Sequence, residues 1–403
     1  MNKLFGSICM VAGTAIGAGM IALPMTLAKF GVVGSLSIMI LTWFLVYYSA
    51  LIGSELTLKV ENSLSLSDIA FRLSGKTASV IATTCVMVLS YALISAYLYG
   101  GSSITTSLIQ AIWVEKPDQD FIIGLFAIIM AVILILGITW IDYFNRVMFL
   151  ALIALLGVTI ITLGLNIEFS TIPAHTPYIT MLPTWSVAIP VLFTSFGFQM
   201  MIPSLSQYLN RNSTQLKKAF FWGSSIPVAI YLAWTLSTVG VLSTNNPDAF
   251  DRIIHHNVDV GEFVGMLSQS TNLPHLQLFI WGVSFFAIIT SALGVALGLI
   301  DLWKTILGGQ TTIVRLVATS LTMIPPFVIA LLTPGAFIKA LGFAGMILVM
   351  IAVVLPVYLL FKSDHKSIQC AYAVSKSKTL RFLALVLAFG VIGFEIINLL
   401  NIF

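Results

Sequence analysis

Residues 11–24 read VAGTAIGAGMIALP: three glycines, Gly13, Gly17 and Gly19, fall within seven residues of an apolar run, and Pro24 follows a turn later. Glycine costs about 1 kcal/mol relative to alanine inside a helix and reaches backbone angles that other residues avoid. The run therefore has two readings. Gly13-Thr14-Ala15-Ile16-Gly17-Ala18-Gly19 is an unwound segment within a membrane helix, or Gly13 and Gly17 form a GxxxG face for close helix packing. A second stretch shifts the balance toward unwinding. Phe193-Thr194-Ser195-Phe196-Gly197-Phe198-Gln199, closed by Pro203, sets hydroxyls and a glycine inside a run that is otherwise apolar and starts near Trp185, about 180 residues after the first.

Around these two stretches the chain is apolar almost throughout. Of 403 residues 59% are hydrophobic and only 8% charged, against roughly a quarter charged in soluble domains, so a water-soluble globule is excluded. At about 20 apolar residues per spanning helix, this content caps the count at roughly twelve. The run after Met1 to Lys3 continues past Met20 and further spans follow, so it reads as helix one and not as a secretory leader. Cys9, Cys85 and Cys370 are an odd number without close spacing, which indicates neither a disulfide framework nor a zinc site.

Apolar segments bounded by Pro, Gly or charge fall at about Leu4–Ala28, Val32–Leu58, Ala78–Trp113, Phe121–Ile141, Phe144–Ile167, Trp185–Tyr208, Leu216–Leu242, Leu276–Trp303, Ile313–Leu332, Ala336–Phe361 and Leu380–Leu400. None alternates with the period of two that a membrane barrel needs. The expected fold is all-α, with 11 transmembrane helices in one domain over 1–403. With the N-terminus inside, 15 of the 19 basic residues are cytoplasmic and only Lys29, Lys116, Arg252 and Lys339 are outside. The positive-inside rule thus sets the N-terminus in the cytoplasm and the C-terminus outside. The formal charge of +4 is too small to call for nucleic acid. The outer connection, about Ser243–Pro274, is expected to form short surface helices, and the inner one, Lys362–Lys378, to be loose.

The second interrupted segment comes five helices after the first, and an odd number per half forces opposite topology on the halves. Corresponding breaks in two such halves mark an inverted-repeat transporter with its site near the midplane. The repeats would cover about 4–167 and 185–361, with an extra helix at about 380–400. Broken helices offer free N–H groups for a carboxylate and free carbonyls for an ammonium or cation, so a zwitterionic amino acid is the simplest ligand. Phe193, Phe196 and Phe198, with Tyr91, Tyr97 and Tyr99 on helix three, could line an aromatic pocket, or simply pack or face lipid. Ser95 and Gln199 are the polar candidates for reading a substrate hydroxyl. Thr290 and Ser291, inside an apolar run of helix eight, either bond back to their own helix or supply oxygen ligands to a small cation.

VAGTAIGAGMIALP, FTSFGF at 193–198, DYFNR at 142–146 and TSALGVALGLID at 290–301 together resemble the bacterial hydroxy and aromatic amino acid permeases over nearly the whole chain. That family lies in the amino acid, polyamine and organocation superfamily, and the resemblance implies the LeuT fold: five plus five inverted helices, with helices one and six discontinuous, and one extra. It implies substrate contacts at Gly13, Thr14, Ala15, Gly17, Ala18 and Gly19, at Phe193, Thr194, Ser195, Phe196 and Gly197, and a second sodium site at Thr290 and Ser291 with carbonyls near Gly13, Ile16 and Ala287. Glu55 is then either an acceptor for free N–H groups of the breaks or an interfacial acid. Members often carry a lysine in helix five that takes the cation position in proton-coupled relatives; here Leu152 stands there, which favours sodium, while the family expectation remains proton symport.

The expected function is secondary-active symport of aromatic amino acids, tyrosine foremost, coupled to H+ or Na+, by a monomer in the bacterial cytoplasmic membrane with no cofactor and no partner besides substrate and lipid. A membrane enzyme would need acids, nucleophiles or metal ligands at depth, and the apolar cores carry almost none. A channel would need a continuous polar lining, which helices four, five, nine and ten lack. In a protein stripped of its native cysteines, Asp251→Cys in intact cells should react with an impermeant thiol reagent and Lys217→Cys should not; the opposite labelling would invert the topology.

Overall fold

In lipid the backbone has no water to bond to, so each spanning segment must close its own hydrogen bonds. The computed structural model describes residues 3–60, 65–113, 117–136, 138–165, 167, 172–173, 176–256, 258–271, 273–309, 311–333, 335–365 and 377–400. Among them there is no strand. The first expected segment is α1 (Lys3–Ala15) and α2 (Gly19–Leu27), followed by α3 (Gly31–Lys59), an inner helix α4 (Leu66–Ser74), α5 (Lys76–Trp113), α6 (Gln119–Leu136) and α7 (Ile138–Leu165). The sixth is α8 (Leu182–Ser195) and α9 (Ile202–Tyr208), and the seventh is α10 (Ser213–Asn245). Two short helices, α11 (Pro247–His255) and α12 (Val260–Gln269), fill the connection after α10; helices were expected there, but not their burial, since most of α12 is buried against α5 and α13. α13 (Pro274–Leu307) and α14 (Thr312–Leu332) come next. The tenth segment is α15 (Ala336–Val349), a π-helical turn at Met350–Val354 and α16 (Leu355–His365), and α17 (Lys378–Leu399) is last.

Nine described stretches are long and apolar enough to cross a membrane. One of them, Gly19–Lys59, runs α2 and α3 together, while Lys3–Ala15 and Gln119–Ile135 are apolar but shorter. Much of the inner connection, with Cys370, lies outside the described residues, as do the side chain of Asp142 and all of His175.

Packing brings distant helices into pairs. α1 lies on α10 and α9 on α3; α7 lies on α13 and α15 on α5; α6 lies on α5 and α14 on α13. Further pairs are α2 with α8, α3 with α10, α5 with α13 and α6 with α14, and α8 also lies on α15 and α17, α5 on α14 and α7 on α10. Small residues make the closest of these contacts possible: a Cβ on Gly100 of α5 would come within 2.7 Å of Phe337 of α15. The outer helix α12 is seated on α5, where Ser103 Oγ donates to Asp259 and accepts from the Gly261 amide at 3.0 Å. The extra helix α17 is fastened to α8 through Asn398, whose amide donates to the Ser186 carbonyl at 2.7 Å and to Glu395 Oε2 at 3.3 Å.

A charged cluster joins the C-terminal ends of α3 and α16 to the N-terminal end of α17. Lys59 Nζ lies 3.5 Å from Glu55 and 2.8 Å from Asp364, and Arg381 lies 2.7 Å from the other Asp364 oxygen, joining α3, α16 and α17. Arg211, in the turn before α10, donates to the carbonyls of Leu58 and Val60 at 2.7 and 3.2 Å and so closes the C-terminus of α3. Glu55 is 1% exposed, whereas Asp364 is 44% exposed. Removing the cation beside a buried carboxylate costs about 3 kcal/mol, and water relieves an exposed one. Lys59→Met should therefore lower the unfolding temperature in detergent clearly more than Lys304→Met, which strands only the exposed Asp301; equal losses would show that Glu55 does not depend on Lys59.

Candidate functional site

The glycine run breaks the first segment as its composition predicts. The amide of Ile16 makes the last α1 bond, to Ala12 at 2.9 Å, and the ladder resumes with Met20 to Gly17 at 3.0 Å. Residues 16–18 between them leave the helix. Ala18, at the N-terminus of α2, receives no side-chain cap from its own segment; its amide donates instead to Ser291 Oγ of α13 at 3.0 Å. Gly17 makes this possible, since a Cβ there would collide with the same Ser291 oxygen.

The sixth segment breaks in the same manner. α8 ends at Ser195, Phe196 to Phe198 are non-helical, and a single 3-10 turn at Gln199–Met201 leads into α9. The two breaks touch. A Cβ on Gly19 would lie 2.8 Å from Ser195 Cα and 2.7 Å from its Oγ, so only glycine allows α2 and α8 to cross this closely. Ser195 Oγ donates to Val191 within its own helix at 2.9 Å.

Tyr231 of α10 joins the broken ends. Its hydroxyl oxygen lies 2.5 Å from the Ala15 carbonyl oxygen and 2.7 Å from that of Ser195, the last residues of α1 and α8. The ring packs against Phe196 with centroids 5.2 Å apart. Tyr231, Phe193, Phe196 and Phe198 are all wholly buried.

The other expected residues are distributed as follows. Gly13 sits in α1 against Phe149 of α7, 3.2 Å from where its Cβ would be. The Thr14 hydroxyl donates back to Met10 at 2.7 Å. Thr194 ties α8 to the Leu341 carbonyl of α15 at 2.7 Å, and Gly197 stands 3.0 Å from Leu348 in the same measure as Gly13. Phe198 stacks on Phe220. Thr290 bonds back to Phe286 at 2.8 Å, whereas Ser291 and the Ala287 carbonyl both face Gly17. Leu152 is fully buried. Two residues of helix three engage other partners: the Tyr91 hydroxyl donates to Leu321 of α14 at 3.0 Å and accepts from Trp303 of α13, and Ser95 bonds back to Ala92. Glu55 pairs with Lys59.

Gln199 is buried and donates to Ser49 of α3 at 3.2 Å, while its Oε1 has no partner among the described residues. It borders a cavity of ≈ 30 Å³ together with Gly53, Thr57, Ile202 and Ile351, room for about two waters. The π turn of the tenth segment lines this cavity, a feature frequent at functional sites. Tyr231 and Ser49 were not expected from the sequence. Trp234, one turn beyond Tyr231, was not either; it is wholly buried and its indole N–H finds no acceptor among the described residues.

Two unwound segments crossing at the centre of an apolar bundle are an arrangement for binding and moving a small polar molecule. Comparison with known proteins agrees: the model of the tryptophan/tyrosine permease family matches residues 1–397. The chain belongs to this family. It is a transport protein and not an enzyme, and it crosses the membrane several times. The permease is 36% identical to tyrosine-specific transport system 1 of Haemophilus influenzae, over 93% of this chain and 92% of that one. It is 29% identical to the tryptophan-specific transport protein of the same organism (97% and 94%) and 31% identical to glutamine transporter 2 of Aliivibrio fischeri (88% and 87%). Gly19→Ala should separate the two breaks and reduce transport by about tenfold or more, the effect of roughly 1.4 kcal/mol, while the protein still purifies as a monodisperse species. Uptake equal to wild type would remove the crossing from the site.

Proposed function

We propose that this permease is a secondary-active symporter that imports aromatic amino acids, tyrosine foremost, across the bacterial cytoplasmic membrane, with its N-terminus inside and C-terminus outside. The observation that carries this reading is the meeting of α1, α2 and α8 at Gly19, Ser195 and Tyr231, where helix ends of both signs converge. The amide end of α2 suits a carboxylate, and the carbonyl ends of α1 and α8 suit an ammonium. The buried Phe193 and Phe196 supply apolar walls. Substrate contacts are assigned to residues 13–19 and 193–197.

The helix pairs support a five-plus-five inverted repeat. Advancing each span by five converts the contact of α1 with α10 into that of α9 with α3, α7 with α13 into α15 with α5, and α6 with α5 into α14 with α13, and returns the pairs α2–α8, α3–α10, α5–α13 and α6–α14 to themselves, whereas the broad α8–α15 contact has only a slight counterpart between α1 and α7. One domain with repeats at about 4–167 and 185–361 and an extra helix fits this symmetry, and one chain suffices for it, so the protein acts as a monomer. Alternating access follows if one set of paired helices rocks against the other around the breaks.

Coupling is to H+ or Na+. Ser291 and the Ala287 carbonyl beside Gly17 support a cation site, and the buried Leu152 in place of a lysine argues in the same direction. One charge moving through 100 mV supplies about 2.3 kcal/mol, roughly fiftyfold accumulation. For the side-chain preference, Gln199 Oε1 is a buried acceptor without a donor among the described residues, which a phenol could satisfy and a phenyl ring could not. A different neutral amino acid is the second reading, favoured by the relative named as a glutamine transporter.

In proteoliposomes, labelled tyrosine should accumulate under one imposed gradient, H+ or Na+, and not under the other. Absence of gradient-driven uptake of tyrosine, tryptophan and phenylalanine would sink the proposal, and uptake of glutamine alone would establish the second reading. If Na+ drives uptake, Ser291→Ala should raise the Na+ concentration for half-maximal rate. Gln199→Ala should shift the tyrosine-to-phenylalanine preference by about tenfold, the worth of one buried hydrogen bond; equal loss for both would make Gln199 a packing residue.

A further inference from the structure

Tyr231 offers one proton to two acceptors. Both the Ala15 and Ser195 carbonyl oxygens point at its hydroxyl, at 2.5 and 2.7 Å, yet a phenol donates a single hydrogen bond. The two carbonyls are also the C-terminal ends of α1 and α8, helices of 13 and 14 residues. Each such end carries a partial charge of about −0.5, so together they focus about one negative charge on a neutral group. Tyr231 is wholly buried, and Ser195 Oγ is already donating to Val191. The place filled by this hydroxyl thus has the charge and acceptors that a primary ammonium, with its three donors and full positive charge, satisfies better than a phenol does.

We propose that the Tyr231 hydroxyl is an internal stand-in for the substrate's ammonium group: it holds the broken ends together in the closed empty state and gives up both carbonyls when an amino acid binds. This rests on the amino acid transporter reading above and adds to it a positioning residue on α10. Empty and loaded centres then share one geometry, because the same two carbonyls are neutralised in each. Without the hydroxyl, the closed empty state would hold two buried carbonyls lacking a donor, and substrate would bind to a less stable competitor.

The test measures binding to purified full-length protein of tyrosine and of 3-(4-hydroxyphenyl)propanoate, which keeps the ring and carboxylate and lacks the amine. Tyr231→Phe should bind tyrosine about tenfold more tightly than wild type, with the affinity for the deaminated analogue unchanged. Weaker tyrosine binding, or the same change for both ligands, would reduce Tyr231 to a structural tether and overturn the proposal. Should the variant fail to fold, 3-fluorotyrosine incorporated at position 231 of the otherwise native protein gives the readout. Its 19F resonance should move on saturation with tyrosine and stay in place with the analogue, and a resonance indifferent to tyrosine refutes displacement. If wild type binds none of tyrosine, tryptophan and phenylalanine, the aromatic transport reading falls first and this inference with it.

Discussion

A backbone group buried in lipid without a partner costs several kcal/mol, and this chain leaves two helices open at the centre of its bundle. A few contacts from other helices answer that cost. The Ala18 amide is taken by Ser291 of α13, the Ala15 and Ser195 carbonyls converge on Tyr231 of α10, and Thr194 holds α8 to α15. Each partner comes from a different helix, so the open ends depend on α10, α13 and α15 being correctly packed. Binding chemistry and bundle assembly are thereby the same problem: groups a ligand would use are kept in place by helices whose own cores are apolar.

The distribution of charge follows from this. With 8% charged residues, and the Glu55, Lys59, Asp364 and Arg381 network at one end of α3, α16 and α17, the crossing point is built from helix ends, hydroxyls and aromatic rings. Dipoles fixed in a bundle need no reorganisation when a charged ligand arrives, and they leave no net charge to be carried when it departs. A carrier that must close while empty gains from that, since a full side-chain charge at the same depth would need its own counter-ion in one of the two states.

Both breaks were legible in the sequence, because glycines and hydroxyls recur at corresponding places in two apolar runs, which a packing face in the first run alone does not explain. The short helices α11 and α12 were legible too, from their mixed polarity, though not that α12 would be mostly buried. Helix three shows where sequence fails. Tyr91 and Ser95 lie on a long, uniformly apolar segment whose periodicity does not say which side faces the centre, and they bond to Leu321 and to Ala92. Tyr231 lies in an equally featureless stretch, PVAIYLAW at 227–234, among 11 tyrosines that look alike in one dimension. Thr290 and Ser291 are adjacent in sequence and on different faces of α13, so one bonds back to its own helix and the other reaches the break.

By itself the sequence determined that this is a helical membrane protein, where its helices run and where two of them must open, because those properties depend on composition and on local backbone preference. Which groups meet the opened ends was decided only by tertiary structure. A free carbonyl accepts from whichever donor the packing delivers, and the direction of a side chain around a uniformly apolar helix is set by its neighbours and not by the residues beside it in the chain.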